Sequence, residues 1–230
     1  MTTLIFLHGA LGTSNQFISL KKQLDRDYHI YTPDFPGHGL KAGEAAEFSI
    51  DSFVDFISNF YQENNIQKAG IFGYSMGGYV ALKFAGLFPE KVQAIFTFAT
   101  KLDWNTTFAE KEVKMLDPVR MKEKVPAFVT QLENIHGIAN WMNVVNNTAS
   151  MIHKLGVDHL TTADFQKIQM PVKLARGDKD GMVSAAEISA VCLAIPNATM
   201  LTIPEAAHPF ESANTFYFLN IFKTFFNYGS

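Results

Sequence analysis

The sequence predicts an α/β fold, a mostly parallel sheet of about six strands with helices on both faces and one helical insertion. Three observations carry that prediction. Apolar runs of strand length alternate with segments of helical period. The runs are apolar from end to end, as strands covered on both faces must be. One stretch, residues 103 to 166, leaves the alternation and reads as helix only.

The elements follow in order. LIFLHG (4 to 9) and YHIYTPDFPGHG (28 to 39) are apolar runs that end in turns, the second at Pro and Gly. Ser49 then caps a helix in which Ile50, Phe53, Val54, Ile57, Phe60 and Tyr61 recur at steps of three and four, one continuous apolar stripe. AGIFGYS (69 to 75) is the third strand, with a helix over about 76 to 88 behind it. QAIFTFAT (93 to 100), VKLARGD (172 to 178) and ATMLTIP (198 to 204) complete the sheet, with helices at about 184 to 194 and 212 to 226. Residues 1–102 and 167–230 are thus expected to form the core, and 103–166 a cap or lid.

Composition narrows the function. With 230 residues, 47% of them hydrophobic, the chain can bury one sizeable core. A formal charge of -3 and no Lys/Arg cluster give no basic field for a polyanion, so a small-molecule substrate is expected and nucleic acid is not. No apolar run reaches the roughly 18 residues of a membrane span, and the N-terminus lacks a secretory pattern. The single cysteine, Cys192, falls in an apolar helical pattern and reads as core in a reducing compartment, and the expected location is cytoplasmic.

The chemistry is concentrated in GYSMG, residues 73 to 77, a G-x-S-x-G pattern between a strand and a helix. Gly73 and Gly77 leave room for the chain to reverse, so that the Ser75 hydroxyl projects from the sheet edge. The same turn aims the Met76 N–H and the positive end of the following helix at an anion beside that hydroxyl. A serine hydroxyl needs a base and an orienting acid. Of seven histidines, only His208 lies in a late loop after a strand. GDKDGMVS (177 to 184) offers Asp178 and Asp180, and Asp103 follows the fourth strand. Histidines and acids show no metal-ligand spacing, and no cofactor is expected.

These residues resemble the α/β-hydrolase superfamily over essentially the whole chain. LHGALG (7 to 12) is similar to its oxyanion-loop motif, DFPGHG (34 to 39) to its D-x-P-G-x-G turn, GYSMGG (73 to 78) to its nucleophile elbow, and GDKDGMV (177 to 183) to its G-x-x-D-x-x-V pattern. The last alignment selects Asp180 as the acid. The resemblance also implies that the Ala10 N–H joins that of Met76 in an oxyanion hole, that His8 braces the loop, and that His38 packs in its turn. It implies a strand order 2-1-3-4-5-6, the usual opening antiparallel pair being absent because the chain starts directly in TTLIFLHG.

The expected reaction is hydrolysis of a carboxylic ester or thioester of a small, largely apolar substrate through an acyl-enzyme on Ser75, with His208 as base and Asp180 as its partner. Leu11, Tyr74, Trp104, Phe128, Trp141, Met142 and Met182 are expected to line the substrate pocket. A carbon–carbon bond hydrolase is one alternative. A menaquinone-pathway lyase is another, although its elbow carries arginine where this chain has Tyr79, and the chain holds only Arg26, Arg120 and Arg176. A ligand receptor with a retained triad is the alternative of a different class.

Overall fold

The computed structural model describes residues 1–44, 46–212 and 215–228. Six parallel strands form one sheet: β1 (Thr2–Leu7), β2 (Tyr28–Tyr31), β3 (Ala69–Tyr74), β4 (Val92–Phe98), β5 (Val172–Gly177) and β6 (Ala198–Ile203). Their order is β2-β1-β3-β4-β5-β6, as the family resemblance implies. The order reverses between β1 and β3, so the loops after these two strands diverge and leave a crevice at their carboxyl ends.

The two-residue strand period explains why the inner strands are apolar throughout. Ile5, Leu7, Ile71, Ile95 and Leu174 face one core cluster, whereas Leu4, Phe6, Phe72, Phe96 and Ala175 face another. The first cluster is closed by α2 (Ile50–Glu63), α3 (Met76–Leu87) and α9 (Ala185–Ala194). The second is closed by α1 (Ile18–Leu24) and α10 (Thr215–Tyr228), and is rich in phenylalanine, with Phe72 in edge contact with Phe6 and Phe218 at 5.3 and 5.5 Å. On α2, Ser49 and Ser52 form a reciprocal cap, and Ile50, Phe53, Val54, Ile57 and Tyr61 are buried. Truncating the fully buried Phe53 to alanine would cost about 3–5 kcal/mol.

Between β4 and β5 the chain forms only helices: α4 (Thr106–Met115), α5 (Pro118–Lys124), α6 (Pro126–His136), α7 (Trp141–Leu155) and α8 (Thr162–Phe165). Of this segment, α7 through Met151, Ile152 and Leu155, and Trp104 just before α4, border a cavity shared with Ala10, Ser75 and Met76 of the loops after β1 and β3.

Three features depart from expectation. Helix α1 is additional; Phe17, Leu20 and Leu24 are buried at three- and four-residue steps, but seven residues are too few for the period to stand out. Strand β6 lies at the sheet edge and is mostly exposed or half-buried, so it is no buried run. Cys192 is half-buried against the core rather than within it. Residues 213 and 214, which fall in the expected C-terminal helix, lie outside the described residues, and α10 is described from Thr215.

Candidate active site

Ser75 sits at the hinge between β3 and α3 with φ 51° and ψ -116°, a backbone conformation that a non-glycine residue adopts only when its surroundings enforce it. The enforcement is visible. The Ser75 N–H donates to the Phe98 carbonyl at 2.9 Å, and the Thr100 hydroxyl donates to the Ser75 carbonyl at 3.1 Å. Gly73 and Gly77 permit the reversal by close approach: a Cβ at Gly73 would run into Gly78, and one at Gly77 into the Leu7 carbonyl. Ser75 therefore caps the positive end of α3 with its side chain half-exposed.

Opposite stands His208, in the loop after β6. Its Nε2 is 3.2 Å from Ser75 Oγ and its Nδ1 is 3.0 Å from Asp180 Oδ2. The other carboxylate oxygen of Asp180 accepts the N–H groups of Met182 and Val183 at 2.8 and 3.0 Å. Burial alone would raise the pKa of Asp180. The hydrogen bond and charge of His208 and those two backbone donors outweigh burial and hold the carboxyl below its ordinary value. An ionised carboxylate only accepts, so Nδ1 carries the proton and the lone pair of Nε2 faces the serine hydroxyl.

The acid loop is itself held. Arg176 Nε donates to the Val183 carbonyl, and the Lys179 N–H donates to the Ala206 carbonyl, which ties the acid loop to the histidine loop. Asp178 and Asp103 are exposed, and it is Asp180 that meets the ring.

The loop after β1 forms a tight turn in which the Gly12 N–H donates to the Gly9 carbonyl, with Leu11 at φ 59°. His8 is fully buried: its Nε2 accepts the Phe35 N–H at 3.0 Å, so Nδ1 carries the proton and donates to the Gly9 carbonyl at 2.9 Å. Burial lowers its pKa to about 4, so the ring is neutral near pH 7. His38 stacks on Phe48 at 4.7 Å and is likewise neutral, its pKa lowered by burial to about 3.

Ser75, Met76 and Ala10 share an apolar cavity of about 60 Å³ with Trp104, Met151 and Met182. A larger cavity of about 270 Å³ lies behind Tyr79 and does not reach Ser75; Ile50, Tyr79, Met151 and Leu155 form the wall between the two.

Of the residues expected to line the substrate pocket, Trp104 and Met182 border this cavity and five do not. Trp141 is turned into the insertion's own small core with Met121, Val129, Leu132 and Val145. Phe128 and Met142 are exposed at 41% and 40%, on helix faces turned to solvent. Leu11 packs beside that small core, and Tyr74 lies on the opposite sheet face, behind His208 at 6.0 Å between ring centroids. Ile50, Tyr79, Lys101, Met151, Ile152 and Leu155 also border the cavity and were not among the expected residues. The three- and four-residue spacing of Met151, Ile152 and Leu155 on α7 was the available signal.

Among the described residues no group of acids, cysteines and histidines could hold a metal ion, and no helix is long and apolar enough to cross a membrane.

Comparison with known proteins places the fold. A Pseudomonas putida dihydrolipoyllysine-residue acetyltransferase component of an acetoin cleaving system is 24% identical over 90% of this chain and 58% of its own length. The chain thus spans little more than half of that relative. A Haemophilus influenzae protein that carries an esterase/lipase name is 21% identical over 97% of this chain and 83% of its own. A Bacillus subtilis protein bearing the name of a 2-succinyl-6-hydroxy-2,4-cyclohexadiene-1-carboxylate synthase is 24% identical over 89% and 82%. The solved structure of a thermophilic esterase from Thermogutta terrifontis superposes with a TM-score of 0.79 over 100% of this chain and 90% of that one, at 16% identity. Residues 2–153 match the family described as alpha/beta hydrolase fold, two thirds of the chain, and the protein belongs to that family.

Proposed function

We propose that the protein is a serine hydrolase that cleaves a carboxylic ester or thioester of a small, largely apolar substrate through an acyl-enzyme. One observation carries this reading: Ser75 Oγ, the His208 ring and Asp180 stand in hydrogen-bond sequence at the mouth of an apolar cavity. Ser75 attacks the substrate carbonyl as His208 Nε2 takes its proton, and Asp180 stabilises the imidazolium that results. The tetrahedral oxyanion is received by the N–H groups of Met76, at the first position of α3, and of Ala10, both of which border the cavity. His208 returns the proton to the leaving group, and water then repeats the sequence on the acyl-enzyme. The helical insertion serves as the lid, a reading supported by Trp104 at its start and by Met151, Ile152 and Leu155 of α7, which border the cavity.

The lyase reading is favoured by the name of the Bacillus subtilis relative and opposed by the charges. Arg26 and Arg120 are exposed, and buried Arg176 is engaged by the acid loop. Lys101, which borders the cavity, is paired with Glu187 at 2.7 Å. A polyanionic substrate would find no uncommitted cation among the described residues lining the cavity.

The test is a panel of p-nitrophenyl esters and acyl-thioesters beside a carbon–carbon cleavage substrate, with fluorophosphonate labelling. Ester or thioester turnover, a label on Ser75, and loss of several orders of magnitude in Ser75→Ala are expected. A variant that keeps a tenth of the activity would sink the mechanism.

A further inference from the structure

Nothing in the reaction above uses His136, yet both of its ring nitrogens are committed. It is the last residue of α6, 3% exposed, and the helix stops there because Gly137 takes φ 85°. The Gly39 N–H lies 3.0 Å from Nδ1, and Nε2 lies 3.0 Å from the Leu11 carbonyl. A backbone N–H can only donate, so Nδ1 is the acceptor. Nε2 therefore carries the proton and donates to Leu11.

That carbonyl belongs to the residue directly after Ala10. Leu11 is the left-handed residue of the turn closed by Gly12 N–H to Gly9 carbonyl, and a leucine keeps φ 59° only where its surroundings enforce it. His8 holds the Gly9 carbonyl on one side of Ala10 and His136 holds the Leu11 carbonyl on the other. The peptide unit that carries the Ala10 N–H is thus held at its own carbonyl by His8, from the loop after β1, and the turn is held again two peptide units on by His136, from the helical insertion.

We infer that His136 is a positioning residue for the reaction: through the Leu11 carbonyl it keeps the Ala10 N–H aimed at the developing oxyanion, and so makes catalysis depend on the docking of α6. The inference rests on the reading of Ala10 as an oxyanion donor. Complete loss of one such donor lowers turnover about 10²- to 10³-fold, and a donor that is present but loosely aimed should lose a part of that.

Two near-isosteric variants separate the two hydrogen bonds. In His136→Gln the side-chain amide N–H can stand where Nε2 stood and donate to Leu11. In His136→Asn the shorter side chain can accept from Gly39 and cannot reach Leu11. Each variant is assayed for kcat and KM on a short-chain p-nitrophenyl ester and for thermal midpoint. Expected is a kcat within about three-fold of wild type for Gln, and a fall of ten-fold or more for Asn with KM little changed. Equal kcat in the two variants, or changes confined to KM or to the thermal midpoint, would overturn the assignment while leaving the serine mechanism in place. A wild-type protein that neither turns over esters nor takes a fluorophosphonate label at Ser75 would overturn both.

Discussion

Asp180 divides its carboxylate between two tasks: Oδ2 meets His208 Nδ1 at 3.0 Å, while Oδ1 accepts the N–H groups of Met182 and Val183 in its own loop. The backbone bonds fix the orientation of the carboxylate, and the carboxylate in turn fixes the ring. Asp180→Asn could present an N–H to Nδ1 and stabilise the wrong tautomer, leaving a protonated Nε2 that cannot accept from Ser75. Turnover should fall by up to about ten-thousand-fold with substrate binding little altered. Asp178→Asn and Asp103→Asn, at exposed positions, should stay within a few-fold of wild type. Steady-state kinetics on the three variants decides, and a crippled Asp103→Asn would move the acid to the base of the insertion.

Acid should unfold the protein through its buried histidines. Burial lowers the pKa of His8 to about 4 and of His38 to about 3, from an ordinary 6.5. Between 6.5 and those values the unfolded chain binds more protons than the folded one, so stability rises with pH across that window. It is fully present above about pH 7 and is lost as pH falls below 6.5 toward 4. For His8 alone the loss is on the order of 3 kcal/mol. Urea midpoints at pH 7.5 and pH 5 should therefore differ clearly, and the difference should shrink in His8→Gln, whose amide does not titrate. Identical midpoints at the two pH values would refute this account.

Acyl length should be limited by the cavity beside Ser75. A volume of about 60 Å³ admits only a few water-sized groups, so short acyl chains should be preferred. Met151 stands in the wall shared with the 270 Å³ cavity, together with Ile50, Tyr79 and Leu155. Met151→Ala should join the two spaces and move the kcat/KM optimum toward longer chains, at a stability cost of about 2–5 kcal/mol. A chain-length profile that is the same in both proteins would show that the wall does not set the limit.

The sequence by itself was sufficient for the strand and helix succession and for the elbow, because both depend on neighbours in the chain, whereas the order of the strands was expected only from the family resemblance. Gly73, Ser75 and Gly77 have to lie within five residues to make one strained turn, and apolar runs alternating with helical periods indicate a parallel sheet. Asp180 stood as a candidate beside Asp178 and Asp103 in the sequence, and only the family pattern after Gly177 selected it. Distance across the fold is a different quantity. His136 stands 125 positions from Leu11 and 97 from Gly39, and no local pattern marks it as the residue that joins those two turns. The pocket wall was hidden for a related reason. Large apolar residues were expected to line it, but the face of each helix that meets the elbow depends on how α4 to α7 pack on one another. That packing turns Trp141 into the insertion's own core, leaves Phe128 and Met142 in water, and brings Met151, Ile152 and Leu155 over Ser75. Side-chain size sets how much area a residue gains by burial, whereas the arrangement of the helices decides where that burial takes place.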